Sequence, residues 1–361
     1  MSAPNQLAGG PPASPPRGRG VGENPPNRFE QITLERDSDW NPADDPAPRT
    51  QFLRDLSQTI IACNDSPDIP FSASINAYRG CEHGCSYCYA RPFHEYLGFS
   101  AGLDFESKIM VKENAPELLR KELASPKWKP QVLAMSGVTD CYQPIERKLK
   151  LTRRCLEILA ECRNPVVAIT KNFLITRDID LFQELARYDA VSVCLSITTL
   201  DSDLARAMEP RTSTPRQRLE AIRLLAQAGV RVGVNVAPII PGLTDHEILS
   251  IVRAAAEAGA KFAGYTIVRL PYAVKDLFEK WLGAHAPEKK EKVLNRLRSM
   301  RDGKLNTSEW GLRMGGSGIF AGQIRQTFAV ACRKAGLSED RFALSIKSFR
   351  RPAEAQLALN F

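Results

Sequence analysis

Residues 71–88 read FSASINAYRGCEHGCSYC, and this stretch sets both the fold and the chemistry of the chain. Its first eight residues have the pattern of a β-strand, which leads directly into Cys81, Cys85 and Cys88. Three thiolates on one short loop can hold an iron–sulfur cluster, and a cluster of four irons then keeps one iron open to a small molecule. The stretch therefore predicts a reactive metal centre directly after the first strand of the fold.

The cysteine spacing by itself also allows zinc or copper(I), because thiolate sulfur binds soft metals in general. A structural zinc site usually has four protein ligands, commonly as two cysteine pairs, and the sequence lacks a second close pair. His83, inside the loop, is the rival fourth ligand for zinc. The loop therefore favours a cluster and leaves zinc as the alternative.

Two features predict the compartment. Nine cysteines, an odd number with three in one loop, fit metal binding in a reducing compartment better than a disulfide framework. No stretch approaches a membrane span, and the first twenty residues show no secretory pattern. We therefore expect a cytoplasmic protein with no membrane partner.

Downstream of the loop, apolar runs of strand length alternate with amphipathic helical runs. The predicted strands are 131–136, 165–170, 190–198, 230–237 and 261–268. The predicted helices between them are 146–162, 178–188, 215–228 and 246–258. This alternation predicts an α/β fold with a parallel sheet, either a partial (β/α)6 TIM-like barrel or an open sheet. In both architectures functional residues collect at the carboxyl ends of the strands.

The composition divides the chain into three parts. Its 361 residues are 43% hydrophobic and 25% charged, which is ordinary for a soluble globular protein. Ten of the 25 prolines precede residue 50, so residues 1–50 are predicted to form a flexible, disordered arm that buries too little apolar surface to fold. The βα units occupy 71–270 and form the core domain.

Residues 275–361 are predicted to form a basic, mainly helical extension. They carry 17 Lys and Arg against 9 Asp and Glu, whereas residues 1–274 carry 32 of each, so the extension accounts for the whole net charge of +8. A basic surface favours a polyanionic partner such as DNA or another nucleic acid. A solvated face without a partner has the same composition and is the alternative.

The cysteine spacing, with an aromatic residue before the last cysteine and βα units after it, resembles the radical S-adenosylmethionine (radical SAM) superfamily over roughly residues 71–270. The resemblance implies that Cys81, Cys85 and Cys88 hold a 4Fe-4S cluster, whose fourth iron is chelated by the amino and carboxylate groups of S-adenosyl-L-methionine (SAM). It also implies reductive cleavage of SAM to a 5'-deoxyadenosyl radical, which abstracts hydrogen from a substrate. Such an enzyme needs a reducing electron-transfer partner.

Three shorter motifs resemble one branch of the superfamily, the group related to spore photoproduct lyase that is often called DNA repair photolyases. They are CSYCYA at 85–90, TDCYQPIE at 139–146 and ITKN at 169–172. Membership of this branch implies a lyase, or another radical reaction, that acts on a DNA lesion.

The resemblance also assigns candidate cofactor residues. Tyr87, the aromatic residue before the third cysteine, is expected near the adenine. After the second strand the superfamily often has a Gly-Gly-Glu-Pro run that binds the methionine amino group. This chain has Ser136, Gly137 and Thr139 there and lacks the Glu and the Pro. Small residues let main-chain carbonyls reach an ammonium group, so these three are still candidates.

Two strand ends and one loop supply further candidates. Lys171 follows the third strand and Ser196 lies near the end of the fourth, positions from which the related lyase contacts the cofactor carboxylate and ribose. Arg211 is a candidate for binding an anionic group. A lysine offers a compact positive charge to a carboxylate. Side chains that only cap a loop occupy such positions as well.

Cys141 is expected at the rim of the same sheet face, in a loop with Asp140 and Tyr142. By its neighbourhood it resembles the cysteine with which spore photoproduct lyase returns hydrogen to its substrate radical, a role that suits the weak S–H bond. Tyr142 is then a candidate relay for the radical. The alternative is a plain buried or loop cysteine, and the five other cysteines outside the cysteine loop are most simply core or surface residues.

The last six residues, QLALNF at 356–361, resemble the peptide with which bacterial polymerases and repair proteins bind the sliding clamp. Gln356 offers hydrogen bonds, and Leu359 and Phe361 are the apolar anchors, with Leu357 beside them. The alternative is a tail that folds back onto its own protein.

Together these features predict a radical SAM enzyme that acts on a nucleic acid, with repair of a DNA lesion as the leading hypothesis. Two other interpretations stay open. One is a radical SAM enzyme that modifies RNA, a protein or a small metabolite, and the other is a non-catalytic iron–sulfur module that binds nucleic acid. Formation of 5'-deoxyadenosine from SAM separates the enzymes from the module.

Overall fold

The structure is a computed structural model, and it describes residues 15–30, 48–339 and 343–352. The clamp-binding peptide predicted at 356–361 lies outside these residues. Over the three described ranges, no helix is long and apolar enough to cross a membrane.

The described strands form two sheets. They are β1 (Gln51–Arg54), β2 (Ile61–Cys63), β3 (Ala73–Ile75), β4 (Tyr78–Arg79), β5 (Lys108–Val111), β6 (Leu133–Met135), β7 (Val166–Thr170), β8 (Val191–Ser196), β9 (Val232–Ile239) and β10 (Phe262–Ile267). The larger sheet has the order β10-β9-β8-β7-β6-β3-β2, in which the six strands from β3 to β10 are parallel and β2 is antiparallel to β3. This sheet confirms the predicted α/β fold of the partial (β/α)6 barrel type.

Helices connect the parallel strands and continue past them. They are α1 (Leu103–Ser107), α2 (Ala115–Ala124), α3 (Glu146–Leu149), α4 (Leu151–Cys162), α5 (Ile179–Ala186), α6 (Ser202–Met208), α7 (Pro215–Gln227), α8 (Ile248–Glu257), α9 (Val274–His285), α10 (Pro287–Ser299) and α11 (Gly318–Ala335). Helices α4, α5, α7 and α8 each lie between consecutive parallel strands, as βα units require. The carboxyl ends of the parallel strands therefore meet at one edge of the sheet.

The unit around α7 shows how the local sequence produces this arrangement. Thr214 caps the helix, with reciprocal hydrogen bonds between Thr214 and Gln217. Ile222 and Leu225 are buried on one face, and the chain leaves the helix through Gly229 at a φ of +76°. The preceding strand β8 is buried at all six residues, as expected for a central strand of a parallel sheet that is covered on both faces.

Two predicted elements are divided in the structure. The strand predicted at 71–78 becomes β3 and β4, which belong to different sheets, because the chain turns at Asn76, whose Oδ1 accepts a hydrogen bond from Val138 N (3.1 Å). The helix predicted at 146–162 becomes α3 and α4. It breaks at Lys150, which has a φ of +53°. At the start of α4, the main-chain amide of Thr152 donates to Glu146 Oε2 (3.0 Å).

The prediction of a flexible arm over residues 1–50 is wrong for residues 15–30, which we call the N-terminal strap. Arg19 is buried and its Nη1 donates to the main-chain oxygen of Glu106 (2.7 Å). Asn27 is also buried, and its Nδ2 donates to the main-chain oxygen of Glu95 (2.9 Å). The prediction considered only apolar burial, whereas polar side chains bonded to main-chain groups hold the strap in place.

The basic extension packs on the core. Helix α11 packs against α8, and Ser338 after it pairs beside Phe262 of β10. Farther along, Ser345 N donates to Asp189 O and Arg350 N donates to Cys162 O, at loops that enter the parallel strands. The side chains of Arg350 and Arg351 also donate to main-chain oxygens, those of Glu161 (2.7 Å) and Trp128 (3.2 Å), so part of the positive charge supports the fold at the sheet edge opposite the cysteine loop.

Candidate active site at the cysteine loop

The loop after β4 brings together three cysteines with free thiols, of which Cys81 and Cys85 are buried and Cys88 is half-buried. The Cys81 amide donates to the oxygen of Phe105 in α1 (2.9 Å), and the Cys88 amide donates to Cys85 O within the loop (3.2 Å), so main-chain hydrogen bonds hold the loop to α1 and fold it on itself. Burial raises the pKa of each of the three thiols, and the Asp140 carboxylate raises that of Cys81 further. A bound metal removes these protons, since thiolate is the form that ligates.

The chemistry of the donors fits an iron–sulfur cluster better than zinc. His83, the rival ligand, has its Nδ1 3.4 Å from Asp140 Oδ2 and its Nε2 3.2 Å from Asn172 Nδ2, so both ring nitrogens face protein partners. Across residues 15–30, 48–339 and 343–352, no three His, Cys, Asp or Glu side chains are gathered as ligands of a single ion. Cysteines that ligate a cluster bind separate irons and are not gathered around one point.

A buried ion pair holds the loop from behind. The Arg91 guanidinium is fully buried and donates through Nε (3.0 Å) and Nη2 (2.9 Å) to Cys85 O. Its Nη2 also lies 2.6 Å from Oε1 of Glu106, which is equally buried. Because one cation binds both the loop carbonyl and a carboxylate, the position of Cys85 depends on this pair.

The N-terminal strap forms the next layer. Gly20 N donates to Oε2 of the same Glu106 (3.0 Å), and the main chain of Gly20 lies directly against that of Gly84. A Cβ atom on Gly20 would lie 1.6 Å from Gly84 O, so only glycine fits at this position. The strap thus covers the middle of the cysteine loop.

We expect the variant Gly20→Ala to displace the strap, because the added methyl meets main-chain atoms that cannot move aside. The expected loss of unfolding free energy is about 1–3 kcal/mol, measured by urea denaturation. Proteolysis within residues 15–30 should become faster. Gly322→Ala is the control, since its Cβ would meet nothing within 4 Å. Equal stability of the two variants would contradict this account of the strap.

Glu209 is the centre of a buried network that the sequence analysis missed. Its carboxylate accepts hydrogen bonds from the hydroxyls of Tyr87 and Thr198, the latter at 2.6 Å, and from Arg218 Nη2. Lys171 Nζ lies 3.3 Å from Glu209 Oε1. Burial alone would raise the pKa of Glu209, but the charges of Arg218 and Lys171 outweigh it and hold the pKa well below its usual range.

This Glu209 network brings two predicted cofactor residues together. Lys171 Nζ donates to Ala237 O (2.8 Å) and lies 5.9 Å from the centre of the Tyr87 ring. Both side chains are thus held at the carboxyl ends of β7, β8 and β9 by contacts from distant parts of the chain. An isolated glutamate before a proline carries no pattern that would have revealed this role.

The three predicted cofactor residues after β6, which are Ser136, Gly137 and Thr139, lie in a tight turn. Ser136 has a left-handed φ of +74°, and its Oγ accepts a hydrogen bond from Cys141 N (2.8 Å). Thr139 Oγ1 donates to Tyr78 O (2.8 Å), whereas Gly137 O accepts a hydrogen bond from the hydroxyl of Tyr89, the residue after Cys88. Both hydroxyls are used to hold the turn, so a role for these residues in binding an amino group stays a prediction that rests on main-chain atoms.

The other two candidate cofactor residues, Ser196 and Arg211, have different surroundings. Ser196 ends β8 next to the Glu209 network, and its oxygen accepts a hydrogen bond from Arg218 Nη1 (3.0 Å). Arg211 instead donates to Gly18 O of the N-terminal strap (3.0 Å) and lies 3.4 Å from Glu82 Oε1. Its donors hold the strap to the cysteine loop, and its contacts do not support the predicted role toward a cofactor anion.

Cys141 and Tyr142 differ in whether their surroundings support the roles predicted for them. Cys141 is buried beside Asp140, whose Oδ2 accepts a hydrogen bond from the amide of Lys171 (2.9 Å) and approaches His83. Burial raises the pKa of the Cys141 thiol, so it keeps its hydrogen at neutral pH. The hydroxyl of Tyr142 donates to Asp178 (3.1 Å), and this contact does not support a relay.

Comparison with known families identifies the class of protein. Residues 75–255, half of the chain, match the family described as the radical SAM superfamily. The chain belongs to this superfamily, which confirms the family predicted from the cysteine loop. Membership implies a 4Fe-4S cluster and SAM, with Cys81, Cys85 and Cys88 as the residues that would hold the cluster. The chemistry these cofactors supply is reductive cleavage of SAM, which requires an electron donor.

The sequence relatives do not name a substrate. The uncharacterized proteins Rv2578c of Mycobacterium tuberculosis and Mb2609c of Mycobacterium bovis are each 37% identical over 225 residues, covering 61% of this chain and 65% of the relative. The uncharacterized protein MJ0683 of Methanocaldococcus jannaschii is 33% identical over 175 residues, covering 48% of this chain and 63% of that protein. This chain therefore spans less than two thirds of the length of these relatives.

Among solved structures, the fold is similar to that of spore photoproduct lyase complexed with dinucleoside spore photoproduct. The TM-score is 0.54 at 16% identity, and the match covers 78% of this chain and 79% of the lyase. At this identity the likeness shows the fold alone. It agrees with the branch whose motifs the sequence resembles.

Proposed function

We propose that the protein is a radical SAM enzyme that acts on a nucleic acid, with a DNA lesion as the leading substrate class. The observation that carries the proposal is the cysteine loop, which presents three free thiols, two of them buried, at the carboxyl edge of a parallel sheet. Arg91 and Glu106 support this loop from behind, and the Glu209 network supplies Tyr87 and Lys171 beside it. The site is thus organised around the residues that would hold the cluster.

Three lines of support favour a nucleic-acid substrate. The net charge is +8, the motifs resemble the lyase branch, and the fold is similar to that of spore photoproduct lyase. A positively charged protein attracts the phosphates of a nucleic acid at a distance. RNA, a protein or a small metabolite are the alternative substrate classes.

Cys141 is proposed as the residue that returns hydrogen to the substrate radical. Its thiol is buried and protonated, and Asp140 next to it contacts both His83 of the cysteine loop and the amide of Lys171. A protonated thiol is the form that gives up a hydrogen atom. Tyr142 stays a weaker candidate, because its hydroxyl is bonded to Asp178.

The sliding clamp is a second proposed partner, through Gln356, Leu357, Leu359 and Phe361. This proposal rests on the sequence alone, since the peptide lies outside the described residues. It agrees with an enzyme that works on DNA. Deletion of 356–361 should abolish capture by purified clamp.

Anaerobic reconstitution with iron and sulfide tests the proposed function. With SAM and a strong reductant, the protein is expected to form 5'-deoxyadenosine, measured by liquid chromatography after iron content and absorbance confirm the cluster. The same preparation should bind DNA with an affinity that falls as salt rises. A loaded cluster without 5'-deoxyadenosine would leave a non-catalytic module, and cleavage without nucleic-acid binding would leave another substrate class.

A further inference from the structure

The segment between α10 and α11 spans the open side of the partial barrel. We call residues 300–317 the bridging segment. At one sheet edge, Ile267 N at the end of β10 donates to Met314 O (2.9 Å). Toward the other edge, Gly311 N donates to Asp68 Oδ1 (2.7 Å), and Asp68 lies between β2 and β3. The bridging segment therefore places its side chains between the first and last strands of the large sheet.

Arg269 lies at this opening, directly beside the cysteine loop. It follows β10, and its guanidinium carbon lies 5.2 Å from the centre of the Tyr89 ring. Tyr89 follows Cys88, and its hydroxyl donates to Gly137 O (3.2 Å) in the turn after β6. Arg269 thus lies beside the cysteine loop at the edge of the large sheet formed by β10.

The guanidinium of Arg269 pairs with no carboxylate of the described residues. Its Nε is buried and has no hydrogen-bond partner there, and Nη1 has only Met314 Sδ at 3.9 Å, a weak acceptor. The carboxylate of Asp68 is occupied by Arg313, whose Nε lies 2.5 Å from Oδ2. An arginine held beside a cofactor loop with free donors is suited to bind an anion.

A third arginine adds to the positive charge. Arg301 is buried, and its Nη1 donates to Leu305 O (2.6 Å) and its Nη2 to Val268 O (2.5 Å), so it too lacks a carboxylate partner in the described residues. Burial, followed by the charge of Arg269, lowers the pKa of Arg301 to about 10. Burial, followed by the charge of Arg313, lowers the pKa of Arg269. Of these three arginines, only Arg313 pairs with a carboxylate of the described residues, that of Asp68.

Two exposed aromatic rings, one in contact with Arg269 and one on the bridging segment, indicate the kind of anion. Tyr89 is 39% exposed and contacts Arg269, and Trp310 on the bridging segment is 56% exposed. A phosphate beside a planar base uses both features, because guanidinium groups bind phosphate and aromatic rings stack on bases. A simple carboxylate ligand would use the arginine and make no use of the exposed Trp310 ring.

We propose that Arg269, with Arg313 behind it, binds a phosphodiester of a nucleic-acid strand that enters through the open side of the barrel. Tyr89 and Trp310 then stack on the bases of that strand. The assignment rests on the proposed function, since it names the contacts with which the same site takes up its substrate.

Binding of labelled oligonucleotides tests the assignment. Fluorescence anisotropy with the full-length, reconstituted protein compares single-stranded DNA, RNA of the same sequence and duplex DNA, each of about 20 nucleotides, over a range of KCl concentrations. Arg269→Gln should weaken binding about tenfold and lower the slope of log affinity against log salt by about one. Arg269→Lys should keep the slope, because it keeps the charge. The nucleic acid that wild-type protein prefers identifies the substrate as DNA or RNA.

Two further variants separate the contact from general effects. Trp310→Ala should weaken binding about fivefold to tenfold without a change in the salt slope, since it removes stacking and no charge. Because Trp310 is exposed, this variant also tests the site if Arg269 variants fail to fold, as melting temperatures would show. Arg253→Gln, on the exposed face of α8, is the charge-matched control and should bind like wild type.

The possible outcomes are distinct. If wild-type protein binds nucleic acid and both Arg269→Gln and Trp310→Ala bind with unchanged affinity and slope, the assignment is wrong and the proposed function stands. If wild-type protein binds none of the three nucleic acids, the substrate class fails and the assignment fails with it. Formation of 5'-deoxyadenosine by wild-type protein then still decides whether the protein is an enzyme.

Discussion

Replacing Glu209 with alanine is expected to lower the free energy of unfolding by about 3–5 kcal/mol. The Glu209 carboxylate is fully buried and is the counter-charge of Arg218, which is buried as well. Its removal leaves a buried guanidinium unpaired, which costs far more than loss of a surface ion pair. Lys171 loses its partner at the same time, and the Tyr87 hydroxyl loses an acceptor. Urea unfolding of the apoprotein, followed by circular dichroism, measures the effect.

A matched substitution on an exposed surface is the control for this prediction. Glu220 lies in α7, shortly after Glu209 in the chain, and forms a solvent-exposed ion pair with Arg223. Glu220→Ala should leave the unfolding curve unchanged, because exposed ion pairs contribute little. A loss below about 1 kcal/mol in Glu209→Ala would show that the buried pair is not a main support of the site.

The lowered pKa of the Glu209 carboxylate also predicts how the free energy of unfolding depends on pH. Glu209 stays ionised in the folded protein at a pH where the unfolded chain already binds a proton, with an unfolded pKa of about 4.3. Its contribution is therefore complete above that value and is lost as the pH falls toward the folded pKa. The variant Glu209→Gln, although less stable at neutral pH, should lose less stability than wild type over this acidic range.

Replacing Cys85 with serine is expected to abolish cofactor chemistry. Wild-type protein should bind about four irons per chain after reconstitution, and Cys85→Ser should retain less than half of them, because one of three thiolate ligands is missing. Production of 5'-deoxyadenosine should fall to background. Iron assays and chromatography measure both quantities, and Cys81→Ser and Cys88→Ser should behave alike.

A buried cysteine outside the loop controls for the cost of placing a hydroxyl in the core. Cys332 on α11 is as buried as Cys85, and Cys332→Ser should keep both iron and activity. Full iron content in Cys85→Ser would show that this cysteine is not a ligand. The result would then reopen the assignment of the loop.

Most of the fold could be predicted because its signals are local. Strand-length apolar runs such as 165–170 and 230–237 alternate with helices whose caps, such as Thr214, are near in sequence, and the structure confirms the six parallel strands they predict. The cysteine loop was equally visible, since its three ligands lie within eight residues. Such features depend on short-range geometry and need no knowledge of the rest of the chain.

The supports of the site could not be predicted in this way. Arg91 pairs with Glu106, and Glu209 contacts Arg218, Lys171 and Tyr87; each of these pairings becomes visible only in the folded chain. The flexible arm predicted at the N-terminus failed over residues 15–30 for a related reason. Its stability comes from hydrogen bonds to the oxygen atoms of distant residues, which composition does not report.

The amino-acid sequence therefore suffices for the class of this protein: a parallel α/β sheet with a three-cysteine loop, a radical SAM protein. The three-dimensional structure was needed to show which side chains lie around that loop: Arg211 donates to the N-terminal strap, Glu209 pairs with Lys171, and Arg269 contacts Tyr89. The reason is physical: ligand spacing and strand periodicity are properties of neighbouring residues, whereas a buried charge finds its partner only through long-range packing.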